Sequence, residues 1–334
     1  MKMKMKLETP QEVYEAGAVQ KGMHWMVELL VAVLLFAVVT VGQTILLLPV
    51  QITLMLNDSD FMAAALAGDV NGVTALSMRL VKTDTMGIAM LFTNIVLTGM
   101  VFLFCRLIQK RKLRTLGFVK KNAAREYLIG LCVGFVIFSA AVLICVVTGA
   151  LKLTGLSEKF SVGVFFLFLL GYLIQGMAEE VYFRGYLMIS IGRRYPMWTA
   201  VLLSSVFFAL LHLFNSGISL FGLVNLTLFG VFGAVYFIKR GNIWGISAVH
   251  SIWNLAQGNL YGIRVSGRAS DCTVFTSSAA EGRAFINGGA FGLEGGFAIT
   301  LVLLVGIWLL LSRPAKDSFA KEYKTLDNAQ DGAL

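Results

Sequence analysis

The sequence predicts an all-α fold, a polytopic bundle of about eight transmembrane helices with both termini on the cytoplasmic side. Composition is the first reason: of 334 residues 57% are hydrophobic and 14% charged, against about 25% charged in an ordinary soluble domain. The second is the recurrence of apolar runs near the ~20 residues that cross a ~30 Å hydrocarbon core. The third is the alternation of Lys- and Arg-rich connections with poor ones along the chain, the charge asymmetry that orients membrane helices.

In chain order the expected spans lie near 26–49, 85–105, 127–150, 162–190, 196–214, 218–238, 243–262 and 297–311. The basic start, followed by about 25 residues of mixed polarity, reads as an anchored first helix and not as a cleaved leader. With the N-terminus inside, the inner segments hold 20 of the 28 Lys and Arg. These are Lys2, Lys4, Lys6 and Lys21, eight residues from Arg106 to Arg125, Arg193 and Arg194, Lys239 and Arg240, then Arg313, Lys316, Lys321 and Lys324. Outer segments keep seven, and Arg184 falls within a span. The net charge of +9 is therefore a topology signal, and no nucleic-acid partner is expected: Lys110, Arg111, Lys112, Lys120 and Lys121 suit a cytoplasmic loop on anionic lipid.

Three regions follow: a scaffold of membrane spans over 1–160, a core over 161–262 that concentrates the ionisable residues, and a terminal region over 263–334. The scaffold spans carry almost no ionisable residue at membrane depth, Glu28 near an interface being the exception. The outer loop 51–84 is acidic and Ala-rich, whereas 263–296 carries Gly288, Gly289, Gly292, Gly295 and Gly296 around Phe291 and Glu294 and reads as a flexible flap over a site. The glycines match no phosphate-binding loop, and Cys105, Cys132, Cys145 and Cys272 form neither a disulfide framework nor a Cys-x-x-Cys pair.

Charge at membrane depth costs about 2.5–3.5 kcal/mol per residue on insertion scales, so it persists where residues pair, line water or do chemistry. Here it clusters: Glu179, Glu180 and Arg184 in the fourth span, His212 in the fifth, His250 in the seventh. On a helix Glu180 and Arg184 share a face and can neutralise each other, while Glu179 points about 100° away and is left for a cavity. Phe208 and His212 are one turn apart, as are His250 and Asn254, so three helices can converge on one water. Glu179 with His212 suits activation of that water, and His250 with Asn254 suits stabilisation of an oxyanion.

Glu179-Glu180-Val-Tyr-Phe-Arg184, Phe208-Ala-Leu-Leu-His212 and His250-Ser-Ile-Trp-Asn254 resemble the EExxxR, FxxxH and HxxxN motifs of the CAAX proteases and bacteriocin-processing enzymes, the CPBP or Abi family. The stretch Phe291-Gly-Leu-Glu294-Gly-Gly is similar to one that often follows in bacterial members. The resemblance implies an intramembrane endopeptidase acting on a membrane-associated peptide or protein, with Glu179, His212, His250 and Asn254 catalytic and Glu180, Arg184 and Phe208 supporting. It implies a multi-pass protein of a bacterial cytoplasmic membrane.

Members have been described with and without a catalytic metal. Glu179, His212 and His250 would be the zinc ligands, yet the spacing is not His-Glu-x-x-His. Ligands drawn from three helices, with Asn254 better suited to an oxyanion, favour a metal-free route and no cofactor. Two other readings compete: a non-proteolytic bacteriocin-immunity or partner-binding protein on the same scaffold, and a proton-coupled transporter. The second is disfavoured because the sequence shows neither repeat symmetry nor paired broken helices.

Overall fold

Runs such as Leu29–Phe36 leave the backbone no polar side chains to pair with, so in an apolar medium the chain satisfies its peptide groups within helices. The computed structural model of the protein describes residues 7–313. The sequence expectations for Lys2, Lys4, Lys6, Lys316, Lys321 and Lys324, and for the placing of the termini themselves, lie outside the described residues.

A short helix, α1 (Gln11–Val19), precedes α2 (Trp25–Leu56). Helices α3 (Ser59–Leu66) and α4 (Val70–Val81) fold the segment expected as an acidic loop, each opened by an Asp that accepts a first-turn amide: Asp58 from Phe61 and Asp69 from Gly72. Then come α5 (Asp84–Leu103), α6 (Ala123–Val147), strand β1 (Leu151–Leu156) and α7 (Val162–Glu180). A π-helical segment, Val181–Met188, carries α7 into α8 (Ile189–Gly192). The remaining elements are α9 (Met197–Leu210), α10 (Leu220–Arg240), α11 (Trp244–Leu255), β2 (Phe275–Ala279), α12 (Ala284–Asn287) and α13 (Phe297–Ser312).

Every expected span is helical over most of its length, and the protein is predominantly a helical bundle. Five helical stretches are long and apolar enough to cross a membrane: Trp25–Leu56, Asp84–Ile108, Ala123–Val147, Val162–Gly192 and Leu220–Arg240. The helices at 197–210, 244–255 and 297–312 are shorter. Only four of the 32 residues of α2 are buried, Glu28, Ala32, Leu35 and Val39, so a continuous apolar surface faces outward, the arrangement lipid requires.

The all-α expectation is corrected by β1, which pairs antiparallel with β2. Leu151-Lys-Leu-Thr alternates with period two, as a strand does, and neither segment is long enough to be a stable helix. The chain ends of the ladder are tied together at Ala150, whose carbonyl accepts from the Ala280 amide and from Asn287 Nδ2.

Close helix approach builds the core around α11. A side chain at Gly134 would meet the Val249 carbonyl at 2.6 Å, and one at Gly176 would meet Ser251 Oγ and, at 2.8 Å, the Ser251 amide. Glycine at these positions lets α6 and α7 press onto opposite sides of α11, and α7 thereby brings its acids to the histidine helix.

At one end the bundle is closed by a polar network. Glu28 pairs with Arg193 at 3.0 Å, both side chains buried. The buried Arg111 donates to Thr115, Gln109, Ser190 and the Gly185 carbonyl. Near this end, in α1, burial pushes the Glu12 carboxyl up to about 7, so the fold favours its protonated form. The stability this group contributes is full below its ordinary range and lost as pH rises to about 7. Hydrogen exchange of Gln11–Val19 should therefore quicken between about pH 4.5 and 7 beyond the intrinsic chemical rate, and Glu12→Gln should abolish that excess.

Candidate active site

The acids of α7 sit where its regular winding ends. Glu180 is the last α-helical residue and the next eight, Val181–Met188, form the π-helical segment, every one buried. Such interruptions recur at functional sites because they redirect side chains within a continuous helix. Arg184 Nη1 donates to Glu180 Oε1 at 2.9 Å, with both side chains almost inaccessible. Its Nη2 donates to the Gly230 carbonyl at 3.1 Å, and Gly233 leaves room for the guanidinium on α10.

His250, on α11, completes the arrangement. Its Nδ1 lies 2.8 Å from the same Glu180 Oε1; a carboxylate oxygen accepts, so Nδ1 carries the proton. That bond aims Nε2 at Glu179, 3.7 Å from Oε2. The other Glu179 oxygen accepts from Gln175 Nε2 at 2.8 Å, and Gln175 Oε1 accepts from Asn254 Nδ2 at 3.0 Å. A hydrogen-bonded line therefore runs Asn254, Gln175, Glu179, beside a second one that runs Arg184, Glu180, His250.

His212 lies two residues past the end of α9, in the turn that follows, and not within a regular helix as expected. Its Nδ1 is 2.8 Å from the Phe208 carbonyl; a carbonyl only accepts, so Nδ1 carries the proton and Nε2 is left for another partner. Phe208 is buried and central: its ring packs 4.7 Å from the His212 ring and 6.2 Å from the His250 ring, with the Arg184 guanidinium 5.2 Å above it.

Glu179, His212, His250 and Asn254 all line one cavity of about 950 Å³, together with Gln175 and Phe208. Its walls from α2, α5 and α7 mix aromatic and aliphatic side chains with Thr40, Gln43, Thr44, Thr93 and Asn94. The segment 264–269 borders it, and this part of the expected free flap is instead pinned at the cavity's edge. Asp84 accepts from the Asp271 and Cys272 amides and from Ser270 Oγ, while Arg268 donates to the Val81 and Thr83 carbonyls.

Gln175 and Glu294 are the site residues the sequence reading left without a role. Gln175 had a legible signal, an amide one turn before Glu179 in an otherwise apolar helix. Glu294 sits in an irregular Gly-rich stretch where spacing gives no direction. It accepts from the Ser266 amide at 2.7 Å and Ser266 Oγ at 2.9 Å, while Asn225 holds its backbone carbonyl. Burial raises the pKa of Glu294, opposed by the Ser266 hydrogen bonds.

Zinc would need Glu179, His212 and His250 to converge on one point. Among the described residues no three His, Cys, Asp or Glu side chains are placed to hold a metal ion, so the donor set as arranged does not fit zinc. The four cysteines are free.

Residues 161–256 match the family model described as type II CAAX prenyl endopeptidase Rce1-like. Neither the curated proteins nor the solved structures returned a match.

Removing Arg184 would leave Glu180 buried without its cation, a loss of about 3–5 kcal/mol when one partner of a buried pair is deleted. Arg184→Ala should accordingly lower the melting temperature in detergent by several degrees or prevent accumulation. An unchanged melting curve would contradict the pairing.

Proposed function

We propose, from the match of residues 161–256 to the Rce1-like CAAX prenyl endopeptidase family model, that this chain is a multi-pass membrane endopeptidase. It hydrolyses a peptide bond in a membrane-associated peptide or protein by a metal-free, glutamate-dependent route. The observation that carries this reading is the aimed pair at the cavity wall: Glu179 Oε2, its partner oxygen held by Gln175, facing His250 Nε2 at 3.7 Å.

In the proposed reaction a water lies against Glu179 Oε2 and hydrogen-bonds the lone pair of His212 Nε2, which orients it. Glu179 takes a proton as the water oxygen attacks the carbonyl carbon, a role worth about 10²–10⁴-fold for a positioned base. His250, flanked by Glu179 and Glu180, acts as an imidazolium; its Nε2–H and the second Nδ2–H of Asn254 donate to the oxyanion. The proton held on Glu179 passes to the leaving nitrogen as the carbon–nitrogen bond breaks, releasing a carboxylic acid and an amine. Glu180 and Arg184 touch no reacting atom in this scheme; they position His250.

The membrane on this reading is a bacterial cytoplasmic one, supported by the resemblance of the Phe291–Gly296 stretch to bacterial members of the family. Glu179→Gln and His212→Ala are each expected to lower cleavage at least ~100-fold with the fold intact. Gln175→Ala, which frees one Glu179 oxygen, should lower kcat by roughly tenfold with KM little changed. Solubilised Glu179→Gln protein should retain uncut peptides that mass spectrometry identifies. Full activity in either variant, or unimpaired protection in an immunity assay, would favour the non-proteolytic alternative.

A further inference from the structure

The cavity has a direction. Along α7 and into the π-helical segment its lining residues run from Phe168 through Tyr172, Gln175 and Glu179 to Phe183. The Phe168 side leads to the rim, where Lys82, Arg264 and Ala269 lie. The Phe183 side is blind, because Val181–Met188 is wholly buried and the Arg111 and Glu28–Arg193 networks lie beyond it.

Charge labels the two ends. Around the rim and its connections lie seven Lys and Arg, namely Arg79, Lys82, Lys152, Lys159, Arg264, Arg268 and Arg283, interspersed with acids such as Asp58, Asp84 and Asp271. The blind end carries fourteen among the described residues, concentrated at 106–125, 193–194 and 239–240. An excess of Lys and Arg in short connections marks the cytoplasmic side, and acids count little in that rule.

We propose that the hydrolytic cavity opens on the non-cytoplasmic face, and that its substrate is a peptide segment presented from that side of the bilayer. A chain terminus made and modified in the cytoplasm would approach the blind end and find no path to Glu179. The inference rests on the peptidase reading for the identity of the reaction, but not for the direction of access. The walls mix apolar side chains such as Phe36, Leu91 and Phe168 with the polar Thr40, Gln43 and Asn94.

The direction is tested by thiol accessibility. Cys132 is exposed and the other three cysteines are buried, so Cys132→Ser gives a quiet background. Into it go Ala269→Cys at the rim and Lys120→Cys at the blind end, both exposed positions and neither part of the catalytic machinery. In intact cells a membrane-impermeant maleimide should label Ala269→Cys at least ~10-fold faster than Lys120→Cys, with the difference lost on permeabilisation, as opposite sides of a bilayer require. The reverse order, or equal labelling in intact cells, overturns the proposal. Labelling needs no catalysis, so an active Glu179→Gln would sink the peptidase reading while leaving this result standing. The substrate class is read from peptides retained by the Glu179→Gln variant: exported or outward-facing segments support it, and cytoplasmic chain termini overturn it.

Discussion

One carboxylate oxygen organises the site. Glu180 Oε1 receives Arg184 from one side and His250 Nδ1 from the other, deep among apolar helices. Neither charge could remain there alone, since an unpaired buried ion costs several kcal/mol after relaxation. Because the pair is mutually obligatory, the helices that carry its members are obligatory too: α10 supplies the Gly230 carbonyl to Arg184, and α11 supplies His250. The orientation of the His250 ring is therefore inherited from an electrostatic necessity, and the nitrogen left over faces Glu179. Two adjacent acids thus take unlike environments, one consumed by the scaffold and the other turned to the cavity.

Packing makes that electrostatics attainable. Gly176 on α7 and Gly134 on α6 permit contact with the α11 backbone that any side chain would prevent. Phe208 fills the space between both histidines and the guanidinium, excluding solvent that would otherwise weaken the charge interactions. The edge of the cavity is held by a further acid: Asp84, at the start of α5, gathers three donors from the 270–272 turn.

Much of this was legible in the sequence because the apolar background made it so. In a chain with so few charges, Glu180 and Arg184 four residues apart, and His250 and Asn254 likewise, stand out, and helix geometry supplies their shared faces. What the sequence withheld depends on tertiary contact. The π-helical winding after Glu180 has no local signature. His212 looks helical by periodicity but lies beyond the end of α9, where its own bond to the Phe208 carbonyl holds the ring. The β1–β2 ladder joins segments more than a hundred residues apart, each too short to announce itself. Gln175 and Glu294 acquire a role only through partners on other elements, Asn254 and Ser266.

The π-helical segment also fixes what insertions and deletions this gene could tolerate. Within the continuous helical stretch from Glu180 to Arg193, gain or loss of one residue that the winding does not absorb would rotate everything downstream by about 100° and shift it by ~1.5 Å relative to the acids. Arg184, three or four residues from Glu180, would keep its face, but at the far end of the stretch Arg193 would leave Glu28. The motif and the inner closure are thereby locked into one reading frame of helical phase. Drift in length is confined to the connections, while this stretch can change in residue type but not in residue count.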